Sequence, residues 1–439
     1  MRRRDFMKFS AAGIAAAGIP SFVSGAPALR LGRVVGPDEK IRIACVGCGG
    51  KGSSDVNGIA SEQIVALCDV DYQKAAGAFK KYPDVPRFRD FRDMLISLDE
   101  TIDAVTVSTP DHMHFPIAMM AIEMGKHVFV QKPLAHTLEE ARLLTQAARR
   151  HKVATQMGIQ GHTMEGIRLL KEWLDADAIG AVSELHIWTN RPIWPQGLDR
   201  PTDTQTPPAT LDWNRWLGVA PERPYHSAYC PFKWRGWWDF GCGALGDIGC
   251  HAFDATFWAL DLGSPTSVEA EVSDLHPESA PEWSIVTYEF PARNGKPPVK
   301  LVWYDGNKKP PRPADLEDGR KLPDGIGGQL IVGDRGTIMA SDVYCRSLRL
   351  IPESKMKTFE RPEKTLPRSP GVYREWLDAC RGKGAAGASF DYAGPLTEMV
   401  LLGNLAVRTG KRIEWDATNL RCTNVPEANA LVRKTYRVF

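Results

Sequence analysis

The sequence predicts an α/β fold in two domains, the first with a parallel sheet between helices and the second built on an antiparallel sheet. Before residue 160, short apolar runs suited to buried strands alternate with helical patterns, which is typical of a parallel sheet. After residue 180, runs such as 182–188 alternate apolar and polar residues, which indicates half-exposed strands. The 439 residues are 43% hydrophobic and 25% charged, so a disordered or coiled-coil protein is excluded.

The charge balance indicates a partner that is recognised locally. There are 55 Lys and Arg residues against 53 Asp and Glu residues, a formal net charge of +2. Nucleic acid and anionic lipid are attracted by a concentrated excess of positive charge, which this chain lacks as a whole. We therefore expect a small-molecule partner and no nucleic acid.

The N-terminus predicts export. Residues 1–25 have a basic start, an apolar stretch (9–23) and small residues at which a signal peptidase could cut. The run from Arg3 to Lys8 resembles the twin-arginine signal, which exports folded proteins to the periplasm, although Arg2 departs from the usual Ser or Thr. The apolar stretch is too short to span a membrane, so no stable anchor is expected. An ordinary secretory signal or a retained amphipathic N-terminus is the alternative.

A glycine-rich turn follows the first strand. Residues 41–56 read IRIACVGCGGKGSSDV, which is an apolar strand, a G-x-G-x-x-G turn and the start of a helix. In this pattern Gly47 permits the turn, Gly49 lets the backbone approach a pyrophosphate, and Gly52 lets the helix pack closely on the strand. N–H groups at the helix N-terminus then hold the phosphates of a dinucleotide. The predicted cofactor-binding residues of this turn are Gly47, Cys48, Gly49, Gly50, Lys51 and Gly52.

A carboxylate after the second strand favours one dinucleotide. Asp69 follows the apolar run 64–68, about 20 residues after the turn, where it would accept hydrogen bonds from the adenosine ribose hydroxyls. Its charge repels a 2′-phosphate and no Arg follows directly, so we expect NAD rather than NADP. These features predict a Rossmann dinucleotide-binding domain at 38–160. Because strand ends face the cofactor crevice, the predicted contacts also include Thr109, Pro110, His114, Gln131 and Lys132.

Two clusters near this motif have other possible chemistries. Asp111, His112 and His114 are residues of the types that bind metals. No further type of ligand that would complete a metal coordination geometry lies nearby in the sequence, so we expect these side chains to cap the polar loop instead. Cys45 and Cys48 have the spacing of a redox pair but belong to a strand end and a glycine turn. The nine Cys residues are odd in number and scattered, so we expect free thiols and no metal site.

Four motifs together resemble the glucose-fructose oxidoreductase and inositol dehydrogenase (Gfo/Idh/MocA) family. They are the GCGGKG turn, STPDHMH at 108–114, QKP at 131–133 where the family usually has Glu-Lys-Pro, and GCGALGDIGCH at 241–251. The resemblance implies a Rossmann domain followed by a C-terminal α/β domain, predicted at 161–439, with a large, mostly antiparallel open sheet. That sheet forms the substrate wall and often an oligomer interface, so a homodimer or homotetramer is expected. Whether a C-terminal segment packs back on the Rossmann domain stays open.

The resemblance implies three catalytic residues. Lys132 matches the active-site lysine, Asp247 matches the aspartate of the family pattern, and His251 matches the histidine that exchanges a proton with the reacting hydroxyl. Oxidation of a secondary alcohol needs such a group, and His titrates near the operating pH. Helical spacing of four places Asp247 and His251 on one face, so the carboxylate can orient or charge the imidazole. Gln131 replaces a carboxylate by a neutral amide, which leaves the protonation state of Lys132 open.

The second domain is rich in Trp and has two long Pro-rich loops. Eight of the 13 Trp residues lie between 188 and 258, where aromatic faces can stack on sugar rings or pack in a core. The loops 191–210 and 305–325 are long enough for substrate lids, with solvent-facing filler as the alternative. The candidate substrate contacts are Gln160, His162, Asn190, Arg191, Trp234 and Arg235. The predicted elements are strands at 182–188, 283–290 and 299–304, a hairpin of 329–332 with 337–340, and helices at 137–150, 164–174, 372–381 and 393–409.

Three functional hypotheses follow. In the first, an oxidoreductase oxidises a secondary hydroxyl of a sugar, glycoside or polyol. Since the periplasm supplies little free cofactor, NAD is loaded before export, stays bound, and is regenerated by a second carbonyl compound. In the second, the protein is a redox-neutral glycoside hydrolase or lyase: transient oxidation acidifies the neighbouring C–H, the glycosidic substituent leaves, water adds and hydride returns. This reaction needs an additional base for the carbon proton, such as His162, Tyr225 or Tyr229. In the third, the protein binds a sugar without catalysis. The presence of all three catalytic residues together argues against this hypothesis.

Overall fold

Two sheets organise the described part of the chain. The computed structural model describes residues 29–439, so the predicted export signal lies outside the described residues. A six-stranded sheet is followed by a nine-stranded one. Within 29–439, no helix combines the length and the apolarity that a membrane crossing requires.

The first domain alternates strands and helices. Its strands are β1 (Arg42–Val46), β2 (Gln63–Cys68), β3 (Arg87–Phe88), β4 (Ala104–Val107), β5 (His127–Val130) and β6 (Thr155–Met157). Its helices are α1 (Lys51–Gly58), α2 (Ala76–Lys81), α3 (Phe91–Ser97), α4 (His114–Glu123) and α5 (Leu138–His151). All strand pairs are parallel in the order β3-β2-β1-β4-β5-β6, which is the Rossmann arrangement. The predicted parallel-sheet domain is confirmed, and β4 and β5 are buried along their whole length because helices cover both faces.

The second domain is a mostly antiparallel sheet with helices on one face. Its strands are β7 (Val182–Trp188), β8 (Ser267–Val272), β9 (Ser284–Phe290), β10 (Val299–Tyr304), β11 (Gly328–Gly333), β12 (Gly336–Ala340), β13 (Leu348–Ile351), β14 (Ile413–Asp416) and β15 (Arg421–Cys422). The helices of this half are α6 (Glu165–Asp175), α7 (Trp213–Leu217), α8 (Gly243–Ala252), α9 (Asp254–Leu260), α10 (Glu353–Thr358), α11 (Val372–Cys380) and α12 (Phe390–Thr409). The strand order is β13-β12-β11-β7-β10-β9-β8-β14-β15, in which β7 and β10 pair in parallel and the other neighbours are antiparallel. The predicted sheet, the β11–β12 hairpin, and the helices that became α5, α6, α11 and α12 are confirmed.

The loop 305–325 covers the outer face of the second sheet. Leu316 is 2% exposed and packs in one cluster with Trp188, Val302 and Tyr304. The Trp188 indole N–H also donates to the Pro323 carbonyl oxygen at 2.9 Å. Consecutive residues of β10 are apolar, so both sheet faces need a cover, and the loop supplies one. The loop therefore packs on the sheet through Leu316 and Pro323, while many of its other residues face solvent, and a role as a substrate lid stays a prediction.

The chain after α10 crosses back to the first domain. Trp376 of α11 is fully buried in one cluster with Ile43 and Phe129 of the parallel sheet. Helix α12 packs along α5. Near the end of the sequence, the Arg92 guanidinium donates to the Phe439 carbonyl oxygen at 2.7 Å. A single boundary near residue 160 therefore does not divide the core, because α11 completes the helical layer of the parallel sheet.

The glycine turn brings the start of α1 against the end of β1. Gly47 has a φ of +79°, which a residue with a side chain adopts at a cost. A Cβ atom on Gly52 would lie 1.9 Å from the Gly47 carbonyl oxygen, which is backbone and cannot rotate away. The close helix–strand approach predicted from the motif is thus a feature of the fold.

We expect Gly52→Ala to destabilise the protein by about 1–3 kcal/mol, the usual cost of forcing an extra methyl group into a packed site. The matched control is Gly77→Ala in α2, where a Cβ would have nothing within 4 Å, so stability should be unchanged or rise by up to about 1 kcal/mol. Urea denaturation followed by circular dichroism measures both. Equal denaturation midpoints for the two variants would contradict the packing argument.

Candidate functional site: a dinucleotide cleft facing a buried ion pair

A cavity of about 460 Å³ lies where the strand ends of the first domain face the second domain. Its wall contains most of the residues predicted from the sequence, which are Gly47, Gly49, Gly50, Lys51, Asp69, Thr109, Pro110, Gln131, Lys132, Trp234 and Arg235. Three of the predicted cofactor residues, Cys48, Gly52 and His114, lie behind this wall, where they shape the turn and its neighbouring loop. Residues of the glycine turn, Asp69 and the motifs at 108–114 and 131–133 therefore meet in one cleft. Asp247 and His251 of the fourth motif are not part of its wall, and Asp247 is joined to it by hydrogen bonds from Lys132 and Arg235.

The turn and Asp69 provide what a dinucleotide requires. The Asp69 carboxylate accepts hydrogen bonds from the backbone N–H groups of Cys48 at 2.8 Å and of Asp71 at 2.9 Å. Burial raises the pKa of Asp69, and these hydrogen bonds oppose the rise. The first N–H groups of α1 have no side-chain cap, and the space beside Gly50 is open within 4 Å of where a Cβ would stand. Uncapped N–H groups next to open space suit the pyrophosphate of NAD, and Asp69 suits the ribose hydroxyls.

An ion pair joins the two domains across the cleft. Lys132 follows β5 and donates to the Asp247 carboxylate of α8 at 2.7 Å, and Arg235 donates to the same oxygen at 3.1 Å. Burial alone would raise the pKa of Asp247, but the charges of Lys132 and Arg235 outweigh it and lower that pKa to about 2. Asp247 is therefore a permanent negative charge. The partner of Lys132 is therefore Asp247, whereas the Gln131 amide is bonded elsewhere.

The Arg235 guanidinium is held among aromatic rings. It lies 4.3 Å from the ring centroid of Trp234, 4.6 Å from that of Phe232 and 5.8 Å from that of Trp194. Guanidinium groups are attracted to aromatic faces, and more strongly where water is excluded. The arrangement fixes Arg235 beside Asp247 and gives the cavity an aromatic wall. Trp194 belongs to the loop 191–210, which therefore borders the site.

His251 is buried with an unsatisfied nitrogen. It is 6% exposed, and its Nδ1 has no hydrogen-bond partner among residues 29–439. Burial and the charge of Lys132 lower the pKa of His251 to about 3, although Asp247 acts in the opposite direction. The Asp247 carboxylate, which was expected to orient or charge the imidazole, accepts no hydrogen bond from His251 and instead accepts from Lys132 and Arg235. His251 is instead packed edge-on against Tyr344, with ring centroids 5.3 Å apart.

A second carboxylate explains why residue 131 is Gln. The Gln131 amide donates to both oxygens of Asp55 at 3.0 Å, and Asp55 also accepts from Ser108 at 2.7 Å and from Tyr373 at 2.8 Å. Asp55 is fully buried in α1. A Glu at position 131 would place two carboxylates in one buried site, which is unfavourable. Sequence reasoning missed this network, because Asp55 and Tyr373 are far from residue 131 along the chain.

The two histidines after β4 stabilise loops. The His112 ring nitrogens lie 3.3 Å from the Phe240 carbonyl oxygen and 3.0 Å from that of Trp216. The His114 nitrogens lie 2.7 Å from the Pro133 carbonyl oxygen and 2.9 Å from that of Thr109. In the described part of the chain, no group of three or more His, Cys, Asp or Glu residues is arranged to hold a metal. The nine Cys residues are all buried free thiols, as predicted.

The remaining candidate substrate residues lie outside the wall of the cavity. The His162 Nδ1 is bonded to Asp254 at 2.8 Å, so this nitrogen is already engaged. Gln160 has a buried amide nitrogen without a partner. The Asn190 side chain accepts a hydrogen bond from Arg191 beside the end of β7. None of these four residues contributes to the wall of the cavity.

A segment of the second domain encloses the cleft, and we term residues 208–240 the clamp. Its backbone pairs with the first domain, since Tyr72 N–H donates to Thr210 at 3.2 Å and Asp212 N–H donates to Val70 at 2.9 Å. Its interior is an aromatic cluster that holds the shape of the segment. The clamp residues in the cavity wall are Arg215, Trp216, Cys230, Pro231, Phe232, Trp234 and Arg235. The cleft is therefore bounded on both sides by protein.

Sequence reasoning named Trp234 and Arg235 but missed the other clamp residues in the cavity wall and the position of Tyr344 beside His251. The Trp-rich composition of 188–258 was the available signal for the clamp, but it did not show which surface the aromatic residues face. Nothing in the sequence distinguishes Tyr344 from other tyrosines. Its position beside His251 results from the β12–β13 connection meeting α8.

Two family models match the chain. The model described as "Oxidoreductase family, NAD-binding Rossmann fold" matches residues 41–159, and the one described as "Oxidoreductase family, C-terminal alpha/beta domain" matches residues 182–304. Both belong to the Gfo/Idh/MocA family, and together they span more than half of the sequence.

Characterised relatives share part of the chain. Inositol 2-dehydrogenase of Burkholderia multivorans is 31% identical over 184 residues, which are 40% of this chain and 54% of that protein. Levoglucosan dehydrogenase of Pseudarthrobacter phenanthrenivorans is 25% identical over 252 residues, 57% of this chain and 53% of that protein. The chain thus spans about half the length of the curated relatives it matches.

Solved structures share the architecture. The WlbA dehydrogenase from Bordetella pertussis, solved in complex with NADH and UDP-GlcNAcA, superimposes with a TM-score of 0.61 at 18% identity, covering 86% of this chain and 99% of that chain. At this identity the likeness shows the fold, which agrees with the domain order that the family models give. The chain therefore belongs to the Gfo/Idh/MocA oxidoreductase family, with a Rossmann NAD-binding domain followed by the family's C-terminal α/β domain.

Proposed function

We propose that the protein is an NAD-dependent oxidoreductase that oxidises a secondary hydroxyl of a sugar, glycoside or polyol. One observation carries the proposal: Lys132 stands in the wall of the dinucleotide cleft, paired with Asp247 and close to the neutral, unsatisfied His251. This combination offers a positive donor and a proton acceptor for one alcohol oxygen. The names inositol 2-dehydrogenase and levoglucosan dehydrogenase, borne by two relatives, support the substrate class.

Lys132, His251 and Asp247 have different roles in the proposed reaction. Lys132 donates to the substrate oxygen and stabilises the negative charge that develops on it as the proton leaves. His251 receives that proton on Nδ1, since its low pKa keeps the imidazole neutral and able to accept. Asp247 remains ionised and positions Lys132. NAD, held by the glycine turn and Asp69, supplies the hydride acceptor when bound.

The clamp supports a cofactor that stays bound. Arg215 and Trp216 of the clamp line the same cavity as the glycine turn, so residues of both domains would hold a dinucleotide there. Together with the N-terminal signal, this supports loading of NAD before twin-arginine export to the periplasm, with a carbonyl compound regenerating the cofactor there. A homodimer or homotetramer remains a prediction, and loop 305–325 already occupies part of the sheet face expected to form its interface.

The redox-neutral hydrolase or lyase needs a base that removes a proton from a substrate carbon, and the three residues considered for this role do not supply it in this cavity. Within the described residues, Tyr225, Tyr229 and His162 are absent from its wall, as is His251, and His251 differs from them in having a ring nitrogen without a hydrogen-bond partner. Tyr229 is 2% exposed inside the aromatic cluster of the clamp, and His162 is bonded to Asp254. Net oxidation is therefore the preferred proposal, and bond cleavage is an alternative outcome of the test below.

The test incubates protein carrying its own cofactor with a panel of glycosides and polyols, without added NAD, and follows products by mass spectrometry. We expect a product lighter by two hydrogens with any glycosidic bond intact. Release of the aglycone with an unoxidised sugar would replace the oxidoreductase by the redox-neutral enzyme. Binding of a sugar without any product would favour the non-catalytic alternative.

On the best substrate of that panel, we expect Lys132→Ala and His251→Ala each to lower kcat by about 10²–10⁴-fold, the usual contribution of a positioned acid or base. Lys171→Ala is the matched control, because its ion pair with Asp175 lies on the surface of α6. Steady-state kinetics at pH 7 measures all three. Unchanged turnover in His251→Ala would refute its proton-transfer role.

Asp69→Asn should change the cofactor preference. Replacing a charged acceptor by a neutral one weakens hydrogen bonds by about 1 kcal/mol, so NADH affinity should fall about fivefold while NADPH affinity rises through loss of charge repulsion. Fluorescence titration with both nucleotides measures this, with Asp84→Asn in an exposed turn as control. An unaltered NADH to NADPH ratio would show that Asp69 does not contact the ribose.

A further inference from the structure

One carboxyl group in the cavity wall has no part in the function proposed above. Asp111 begins a 3-10 turn, Asp111–Met113, where the chain leaves β4, and it lines the same cavity as Lys132. It is 4% exposed, so its carboxyl is enclosed by protein and the cavity. The sequence singled out this residue as a candidate metal ligand or loop cap, and the neighbouring histidines turned out to serve the loops alone.

Asp111 differs from the other carboxylates of the site in its hydrogen bonds. Asp69 is held by backbone N–H groups, and Asp247 is held by Lys132 and Arg235. Across residues 29–439, the Asp111 carboxyl receives a hydrogen bond from the Cys242 thiol, a weak donor, and none from a backbone N–H, hydroxyl, amide, ammonium or guanidinium group. A buried carboxylate without such donors is poorly stabilised in its charged form, so a bound proton is favoured.

The charges around Asp111 come from three elements. Lys132 follows β5, Arg235 belongs to the clamp, and Asp247 lies on α8, with the Cys242 thiol directly before that helix. Burial raises the pKa of Asp111 to about 7, Asp247 adds to the rise, and the two cations oppose it. The Cys242 thiol stays protonated because burial raises its pKa well above 9, so it adds no charge near neutral pH. The pKa values of Asp111 and Asp247 are thus far apart. Such a difference lets one carboxyl, Asp111, carry a proton while the other, Asp247, stays charged.

His251 needs such a carrier. An imidazolium at His251 would be buried and close to the Lys132 ammonium, which is why its pKa is about 3. A proton taken from substrate therefore has to move on to a group that binds it more strongly. Asp111 lies in the cavity wall with Lys132, whose charge acts on both His251 and Asp111, and it is a carboxyl whose surroundings allow this at neutral pH.

We propose that Asp111 is the terminal proton acceptor of the oxidation and the proton donor of the reverse reduction. In the oxidation the substrate O–H bond breaks and its electron pair forms the C=O bond. The hydride leaves carbon for the nicotinamide cofactor, and the proton ends on a carboxyl oxygen of Asp111. The substrate step rests on the proposed function, whereas the titration of Asp111 does not.

The first experiment measures this titration without a substrate. Infrared difference spectra of the purified protein between pH 5 and 9 should show a protonated carboxyl band that disappears with a midpoint near pH 7. Asp111→Asn should lack this band. The matched control is Asp305→Asn, a buried carboxyl outside the cavity, bonded to Ser284 and Trp303, whose pKa burial raises to about 6. This control should lose a band near pH 6 and keep the band near pH 7.

The second experiment uses the best substrate of the panel. Oxidation by the wild-type protein should fall as the pH falls through about 7, because Asp111 must be ionised to accept, and reduction should fall as the pH rises through 7. Asp111→Asn should lower kcat about 10²–10⁴-fold and lose this pH limb, with NADH binding unchanged by fluorescence. Asp111→Glu should restore the limb in part.

The outcomes separate the two proposals. A band near pH 7 that depends on Asp111, in a protein that oxidises no member of the panel, would contradict the proposed function alone. A band near pH 7 that persists in Asp111→Asn, or a pH profile of that variant equal to the wild type, would overturn the role of Asp111. A profile lost in Asp111→Asn and regained in Asp111→Glu supports it, since a merely structural role would not move the pH limb.

Discussion

The ion pair between Lys132 and Asp247 links the two domains at the point where their chemistry meets. Removing two charges from water costs several kcal/mol for each ion, so such a pair is stable only where geometry and further hydrogen bonds compensate. Here the compensation comes from a 2.7 Å contact and from Arg235, which is fixed among aromatic rings beside the same carboxylate. A displacement of either domain would leave a charge buried without its partner. The pair therefore sets the distance between the strand ends of the NAD-binding sheet and the wall that faces them.

The same charges determine how neighbouring groups titrate. In a poorly hydrated cavity, a charge acts strongly on groups several ångströms away. Burial lowers the pKa of His251 and the charge of Lys132 lowers it further, so His251 is neutral. Burial raises the pKa of Asp111 and Asp247 adds to the rise, while Lys132 and Arg235 oppose it. Burial beside one ion pair thus gives a fixed anion, a neutral base and a carboxyl that changes its protonation near neutral pH. These are different roles for ordinary side chains, assigned by position alone.

The architecture around the cleft departs from a simple succession of two domains. The clamp extends from the second half to the first, α11 returns to the parallel sheet, and loop 305–325 covers the outer sheet face that would otherwise expose apolar side chains. Each of these segments buries apolar surface that its own neighbours in sequence leave open. As a result the cofactor cleft is bounded by residues from distant parts of the chain.

The sequence by itself determined the parallel-sheet domain, the glycine turn, Asp69 and the second sheet, because these depend on local patterns: strand periodicity, a turn that only glycine permits, and a carboxylate at a strand end. Lys132, Asp247 and His251 were found through motifs that also lie within short stretches. Only the tertiary structure decided which of these groups touch. The Asp55 partner of Gln131 lies 76 residues away and Tyr373 lies 318 residues from Asp55, while the pairing of Asp247 with Lys132 in place of His251 joins two domains. The pKa of a group depends on its side-chain partners and on its burial. Both arise from contacts between segments that are far apart in the sequence, and local sequence patterns do not show which distant segments come into contact.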